Sequence, residues 1–149
     1  MAANIERILF LKSASLFADV AGSDLPWIDE IAREEVFDDG RIVFREGEMG
    51  DSLFIIVEGA VRVLKGEVDP VVLAVLGERD CFGEMALLDG EPRSATIETE
   101  RRSRFLKIER ADFEELLLAR PQIGFAMIKN LNRRLRETNA RLLAKEGGG

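Results

Sequence analysis

"RIVFREGEMGDSLFIIVEGAVRVLKGEVDPVVLAVLG", residues 41–77, is a series of short apolar runs, most of them closed by a glycine. Gly47, Gly50, Gly59, Gly66 and Gly77 recur too often for a continuous helix, and the valines and isoleucines between them favour extended backbone. With Gly40 just upstream, the segment reads as strands of four to six residues joined by tight turns. The pattern extends back into "EEVFDDG" and forward into "SATIETE" and "SRFLKIE". There it puts Ala95, Ile97 and Thr99 on one face and sets Phe105 apart from its neighbours. Seven or eight such strands between Glu35 and Ile108 predict a small antiparallel sandwich or barrel.

Helical periodicity flanks this region. Ile5, Ile8 and Leu9 recur at helical spacing after Asn4, and "SDLPWIDEIAREE" offers Ser23 as an N-cap, Pro26 in the first turn and a stripe of Leu25, Ile28 and Ile31. After Ile108, "ADFEELLLAR" reads as a helix that stops at Pro121. A second helix of about 25 residues follows, with Ile128, Leu131, Leu135, Thr138 and Leu142 at the 3-4 spacing of a two-stranded coiled-coil seam. Three terminal glycines read as a flexible tail. One domain over residues 1–149 is expected, with helices at 1–34, a β region at 35–109, helices at 110–146 and the tail at 147–149.

Composition excludes several classes of function. A net charge of -7 argues against whole-domain binding to nucleic acid or anionic membrane, despite the local cluster Arg133, Arg134, Arg136 and Arg141. No apolar run approaches the ~18 residues that span a bilayer, and the N-terminus lacks the form of a signal peptide. The single Cys81 makes no internal disulfide, so a reducing, cytoplasmic setting is expected. With no histidine and one cysteine, His-ligated metal sites, thiolate zinc sites and histidine triads are excluded, and no metal or cofactor is expected.

One stretch carries chemistry: "FGEMALLDGEPRSATIETE", residues 82–100. "GEMALLD" has the length for one or two helical turns, whose first N–H groups make a place for a phosphate-sized anion. Arg93, after the "DGEP" turn, can add a bidentate guanidinium, and Ser94 a hydroxyl donor. Glu84 supplies a carboxylate that accepts well from a sugar hydroxyl. A donor cluster beside an acceptor suits a cyclic ribose phosphate. The alternative is an ordinary surface ion pair of Arg93 with Glu84, Asp89 or Glu91, and spacing alone does not decide between them.

"FGEMALLDGEPRSAT" resembles the phosphate-binding cassette of the cyclic nucleotide-binding domain, the family of the catabolite activator protein and of regulatory subunits of cAMP-dependent protein kinase. "REGEMGDSLFIIVEGAVRVL" resembles the family's glycine-punctuated sheet, and the likeness covers nearly the whole chain. It implies a mainly β fold, with an antiparallel β-roll (jelly-roll-like) core, N-terminal helices, a cassette at 82–96 and a long C-terminal helix. By the same resemblance, Glu84 accepts from the ribose 2′-hydroxyl, and Arg93 with Ser94 binds the cyclic phosphate. Gly83, Met85, Ala86 and Ala95 complete the cradle, and Leu73 or its strand neighbours line the base pocket. Thr138 and Asn139 stand where the bacterial activators carry a polar pair that reaches the purine. No aromatic residue follows Phe125, so Leu142 or Leu143 is left to cover the base.

The function implied is a non-enzymatic regulatory sensor that binds cAMP in preference to cGMP, forms a homodimer through the last helix and acts on a separate effector protein. Ser94 resembles the bacterial cAMP-binding pattern. The chain ends with that helix, so no direct nucleic-acid contact is expected. The alternative within the fold is a dimerising scaffold that no longer binds nucleotide; retention of both Glu84 and Arg93 speaks against it. A cupin-type enzyme on a similar jelly roll fails for want of histidine ligands.

Overall fold

The computed structural model of the chain describes residues 5–84 and 89–147. Helices α1 (Ile5–Ser13) and α2 (Leu25–Ile31), with 3-10 turns at Ser15–Phe17 and Gly22–Asp24 between them, lead into the strands. These are β1 (Ala32–Phe37), β2 (Ile42–Phe44), β3 (Ser52–Glu58), β4 (Val61–Lys65), β5 (Val71–Leu76), β6 (Cys81–Phe82), β7 (Thr96–Thr99) and β8 (Ser103–Glu109). Helices α3 (Arg110–Ala119) and α4 (Pro121–Gly147) follow. The strands form two antiparallel four-stranded sheets, ordered β1-β8-β3-β6 and β2-β7-β4-β5, the β-roll with flanking helices that the sequence predicts.

Strand β3 explains the layering. Its "SLFIIV" is apolar on both faces because both faces are buried. Leu53 and Ile55, with Leu106 and Ile108 of β8, meet Leu11, Leu16, Phe17, Ile28 and Phe113 from the helical layer. The intervening Phe54 and Ile56, with Phe105, turn the other way and pack between the sheets against Phe44, Val61, Phe82 and Ile97. Period-2 alternation thus divides one strand between two cores. The inter-sheet core is aromatic. Phe54 stacks on Phe82 with centroids 5.0 Å apart, and Phe105 meets Phe82 edge-on at 5.3 Å.

Several boundaries differ from the sequence reading. The β region begins at Ala32 rather than 35, because Ala32 and Arg33 already pair with Ile108 and Lys107. Ser23 is not the N-cap of α2: it lies within the second 3-10 turn, and Asp24 takes the cap position without a side-chain cap bond. The Asp24 carboxylate instead accepts from Gln122 Nε2 at 3.2 Å, tying α2 to α4. In α1, Ile5 and Leu9 are exposed, and the helix packs through Ile8 and Leu11. The two-residue β6 is too short to leave a periodic signal.

Helix α4 has two parts. Ile123, Met127 and Asn130 are buried, Asn130 Nδ2 donates to the Ser15 carbonyl at 2.9 Å, and Arg133 pairs with Asp19 at 2.8 Å. From residue 132 to 145 the helix is exposed, and Ile128, Leu135 and Leu142 of the expected seam are more than half exposed.

Two predictions test this packing. Gly59 has φ +106°, and a Cβ there would lie 2.2 Å from Ser103 Oγ and 2.7 Å from its Cα. Gly59→Ala is therefore expected to lower stability by about 2–4 kcal/mol, read as a lower urea midpoint; an unchanged midpoint contradicts the close approach. The hydrogen bond from Arg133 holds the Asp19 carboxyl below its ordinary 3.8. Its contribution is present above that pH and lost as pH falls through the lower folded value. Acid titration of Arg133→Met should show no such loss from this pair.

Candidate functional site

A cavity of about 350 Å³ opens between the second sheet and the chain that enters and leaves the cassette. Phe44, Val63, Leu76, Phe82 and Ile97 supply its apolar wall, and Glu84, Asp89, Glu91 and Ser94 its polar side. The apolar positions follow from register. Val61 pairs with Leu76, Val63 with Ala74 and with Ile97, so these side chains share the inward face of the second sheet. Their outward neighbours Arg62 and Glu98 form an ion pair.

Arg93 lies against this cavity and is only 5% exposed. Among the described residues it makes no ion pair, so the surface pairing with Glu84, Asp89 or Glu91 is not formed. Its Nη2 donates to the Ser52 carbonyl at 2.9 Å, and its Nη1 to the Gly83 carbonyl at 3.2 Å. Its Cζ stands 3.9 Å above the Phe44 ring centre, a cation–π contact worth about 2 kcal/mol when desolvated. Nε is buried without a partner among the described residues. Burial pushes the guanidinium's pKa down, and the charges of Asp51 and Glu48 partly offset that.

The backbone around Arg93 is fixed by the loop before β3. Gly47 N donates to the Arg93 carbonyl at 2.8 Å and Arg93 N to the Glu48 carbonyl at 2.7 Å, and Met49 bridges to Pro92. Gly83 makes room for the side chain. It has φ +86°, and a Cβ there would fall 2.6 Å from Arg93 Nη1 and 2.9 Å from the Ser52 carbonyl oxygen.

Of the residues expected at the site, Gly83, Glu84, Arg93, Ser94 and Ala95 come together around the cavity. Glu84 and Asp89 are both helical; Met85 and Ala86 lie outside the described residues, as does the centre of the predicted short helix. Leu73 stands apart. It is 59% exposed and falls at a β-bulge, where Val63 pairs with Ala74 and Leu64 with Val72, and its strand neighbour Leu76 reaches the cavity instead. Thr138 and Asn139 lie on the exposed part of α4, away from the cavity lining, with Thr138 Oγ1 donating to the Arg134 carbonyl at 3.0 Å. Leu142 and Leu143 are exposed there too. Sequence reasoning missed Phe44, Val63 and Cys81, and reached Leu76 only as a strand neighbour of Leu73. Alternation outward from Val61 and Ile97 identifies Val63, and the pairing with Val61 identifies Leu76, whereas nothing local marks Phe44. Among the described residues no cluster of three or more histidine, cysteine or acidic side chains is placed to hold a metal, and no helix is long and apolar enough to cross a membrane.

Cys81, on the cavity wall, is pushed up to about 12 by burial, with the charge of Glu84 adding to the shift. This raised value favours the fold below the ordinary 9.0, and that contribution is lost as pH climbs toward about 12. At about pH 8 the native thiol is expected to alkylate at least about a hundredfold more slowly than the urea-unfolded chain. Equal rates would contradict its burial.

The cyclic nucleotide-binding domain family model matches residues 34–120. A CRP-like cAMP-activated global transcriptional regulator of Mycobacterium tuberculosis is 32% identical over 134 residues, which are 89% of this chain and 60% of that protein. Among solved structures, the N-terminal domain of a transcriptional regulator from Streptomyces coelicolor A3(2) superposes with a TM-score of 0.78 at 30% identity, covering 89% of this chain and 94% of that one. The regulatory domain of Toxoplasma gondii PKA, crystallised with cAMP, superposes with a TM-score of 0.75 at 27% identity, covering 89% of this chain and 49% of that one. The expectation of no direct nucleic-acid contact stands beside relatives named as transcriptional regulators, and this chain spans less than two thirds of the mycobacterial one. Matched from residue 34 to residue 120, the chain belongs to the cyclic nucleotide-binding domain family.

Proposed function

We propose that the chain is a non-enzymatic cyclic-nucleotide sensor, with cAMP favoured over cGMP, that passes occupancy of the cavity to α4. The observation that carries this reading is the buried Arg93 guanidinium on the cavity lining, which among the described residues has no direct carboxylate partner and no hydrogen-bond partner at Nε. A guanidinium outside any direct ion pair among the described residues, its burial only partly offset by Asp51 and Glu48, is available to an arriving phosphate.

In this reading Arg93 and Ser94 take the cyclic phosphate, Glu84 accepts from the ribose 2′-hydroxyl, and the base lies against Val63, Leu76 and Ile97. Gly83, Met85, Ala86 and Ala95 form the cradle. Ser94 at the position after the arginine favours cAMP. Thr138 and Asn139 reach the base only if α4 moves or a second chain brings them, and Leu142 or Leu143 then covers it. A ligand shifts α4 only through contacts that differ between its two positions, which is the part these residues play. The exposed seam of Ile128, Leu135 and Leu142 supports a homodimer through α4. A cytoplasmic setting and a separate effector protein complete the proposal. The inert-scaffold reading keeps the dimer and drops the ligand, but gives the Arg93 guanidinium on the cavity lining no part to play.

Two substitutions test the site. Arg93→Gln, which keeps donors for the Ser52 and Gly83 carbonyls but removes the charge, is expected to abolish cAMP binding in calorimetric titration with far-UV dichroism close to wild type; retained affinity overturns the assignment. Gly83→Ala, which forces Arg93 aside, is expected to weaken cAMP binding at least about tenfold, and the same titrations with cGMP are expected to give the lower affinity. Equal or tighter cGMP binding reverses the base preference.

A further inference from the structure

Among the described residues that line the cavity, Arg93 is the one cation, set against the three carboxylates Glu84, Asp89 and Glu91. The loop that fixes the Arg93 backbone adds Glu48 and Asp51 close behind the guanidinium. Arg93 has also committed Nη1 and Nη2 to the Gly83 and Ser52 carbonyls, so its spare donor capacity is small. Asp89 is held at the cavity by accepting from Glu91 N at 2.9 Å.

From this imbalance we infer that Asp89 and Glu91 are specificity-determining residues that select a singly charged phosphate and turn away doubly charged ones. The inference rests on the nucleotide-site reading above and deepens it. A phosphodiester, such as a cyclic nucleotide, carries one negative charge; a phosphomonoester carries close to two at neutral pH. Arg93 neutralises the first charge. No second cation among the described lining residues meets the second charge, and the repulsion from the carboxylates grows with the ligand's charge. Asp89 and Glu91 are exposed, so they act at the mouth of the site, where the effect is modest and weakens with salt.

The test separates charge from ring geometry. Adenosine 5′-monophosphate and its phosphate methyl ester are both acyclic, but the ester carries a single charge. Each is competed against cAMP on the ligand-free protein at low ionic strength. The wild type is expected to bind the ester about threefold or more tightly than the monophosphate. In D89N/E91Q that gap should close while cAMP affinity changes less, and added salt should narrow it in the wild type. Equal binding of ester and monophosphate by the wild type, or a gap that survives in the double variant, overturns the charge selection and leaves the nucleotide site standing. Failure of cAMP itself to bind the folded wild type overturns both. Asn at 89 keeps an oxygen to accept from Glu91 N, and D89E/E91D, which retains both charges, should behave as wild type if the variants report charge rather than loop disruption.

Discussion

A guanidinium buried without a direct ion pair among the described residues is the constraint around which this fold is arranged. Burying a charge costs several kcal/mol unless hydrogen bonds and polarisable surfaces replace its water. Arg93 receives two carbonyl oxygens and an aromatic face, each from a different part of the chain. Ser52 opens β3, Gly83 follows β6, and Phe44 ends β2. Both sheets and the cassette entrance must therefore be in place before the cation is housed. The absence of a side chain at Gly83 is part of that housing, since a methyl there would occupy the guanidinium's own space.

The same elements connect the cavity to α4. Cys81 on the cavity wall follows the turn at Arg79, whose carbonyl accepts from Ser15 N at 3.3 Å. Ser15 in turn offers its carbonyl to Asn130 of α4, and Asp19, a few residues on, holds Arg133. Contiguous packing runs from the ligand cavity through a 3-10 turn to the helix proposed to report occupancy. Contiguity is a route rather than a mechanism, because coupling needs an element with two arrangements. Helix α4 is suited to that part: its first turns are anchored in the core by Ile123 and Met127 and by the Asn130 and Arg133 contacts, and residues 132–145 leave the core.

Much of the fold was legible because its signals are local. Glycine-closed apolar runs gave the strands, Pro121 gave the break between α3 and α4, and the cassette motif gathered Gly83, Glu84, Arg93, Ser94 and Ala95 in one short stretch. What escaped depends on contacts between distant segments. Leu73 and Leu76 lie three residues apart and so face opposite sides of β5, and the pairing of Leu76 with Val61 makes Leu76 the inward one. Asp24 turns to Gln122 across the fold rather than capping its own helix, which shifts the start expected from Ser23. The decisive choice, a buried Arg93 or a surface ion pair, turned on Phe44, Ser52 and the loop at 47–49, all some forty residues away in sequence.

Arg93 Nε is the most direct witness to the central claim, because it is buried without a partner among the described residues and belongs to a residue that lines the cavity. The measurement is a ¹⁵N-resolved spectrum of the arginine Nε–H groups, with Arg93 assigned by substitution, taken on ligand-free protein before and after adding cAMP. The account predicts a saturable shift of the Arg93 resonance to lower field and slower exchange with water as Nε–H acquires a phosphate oxygen. An Arg93 resonance that stays fixed, whether because cAMP does not bind or because it binds elsewhere, would contradict it.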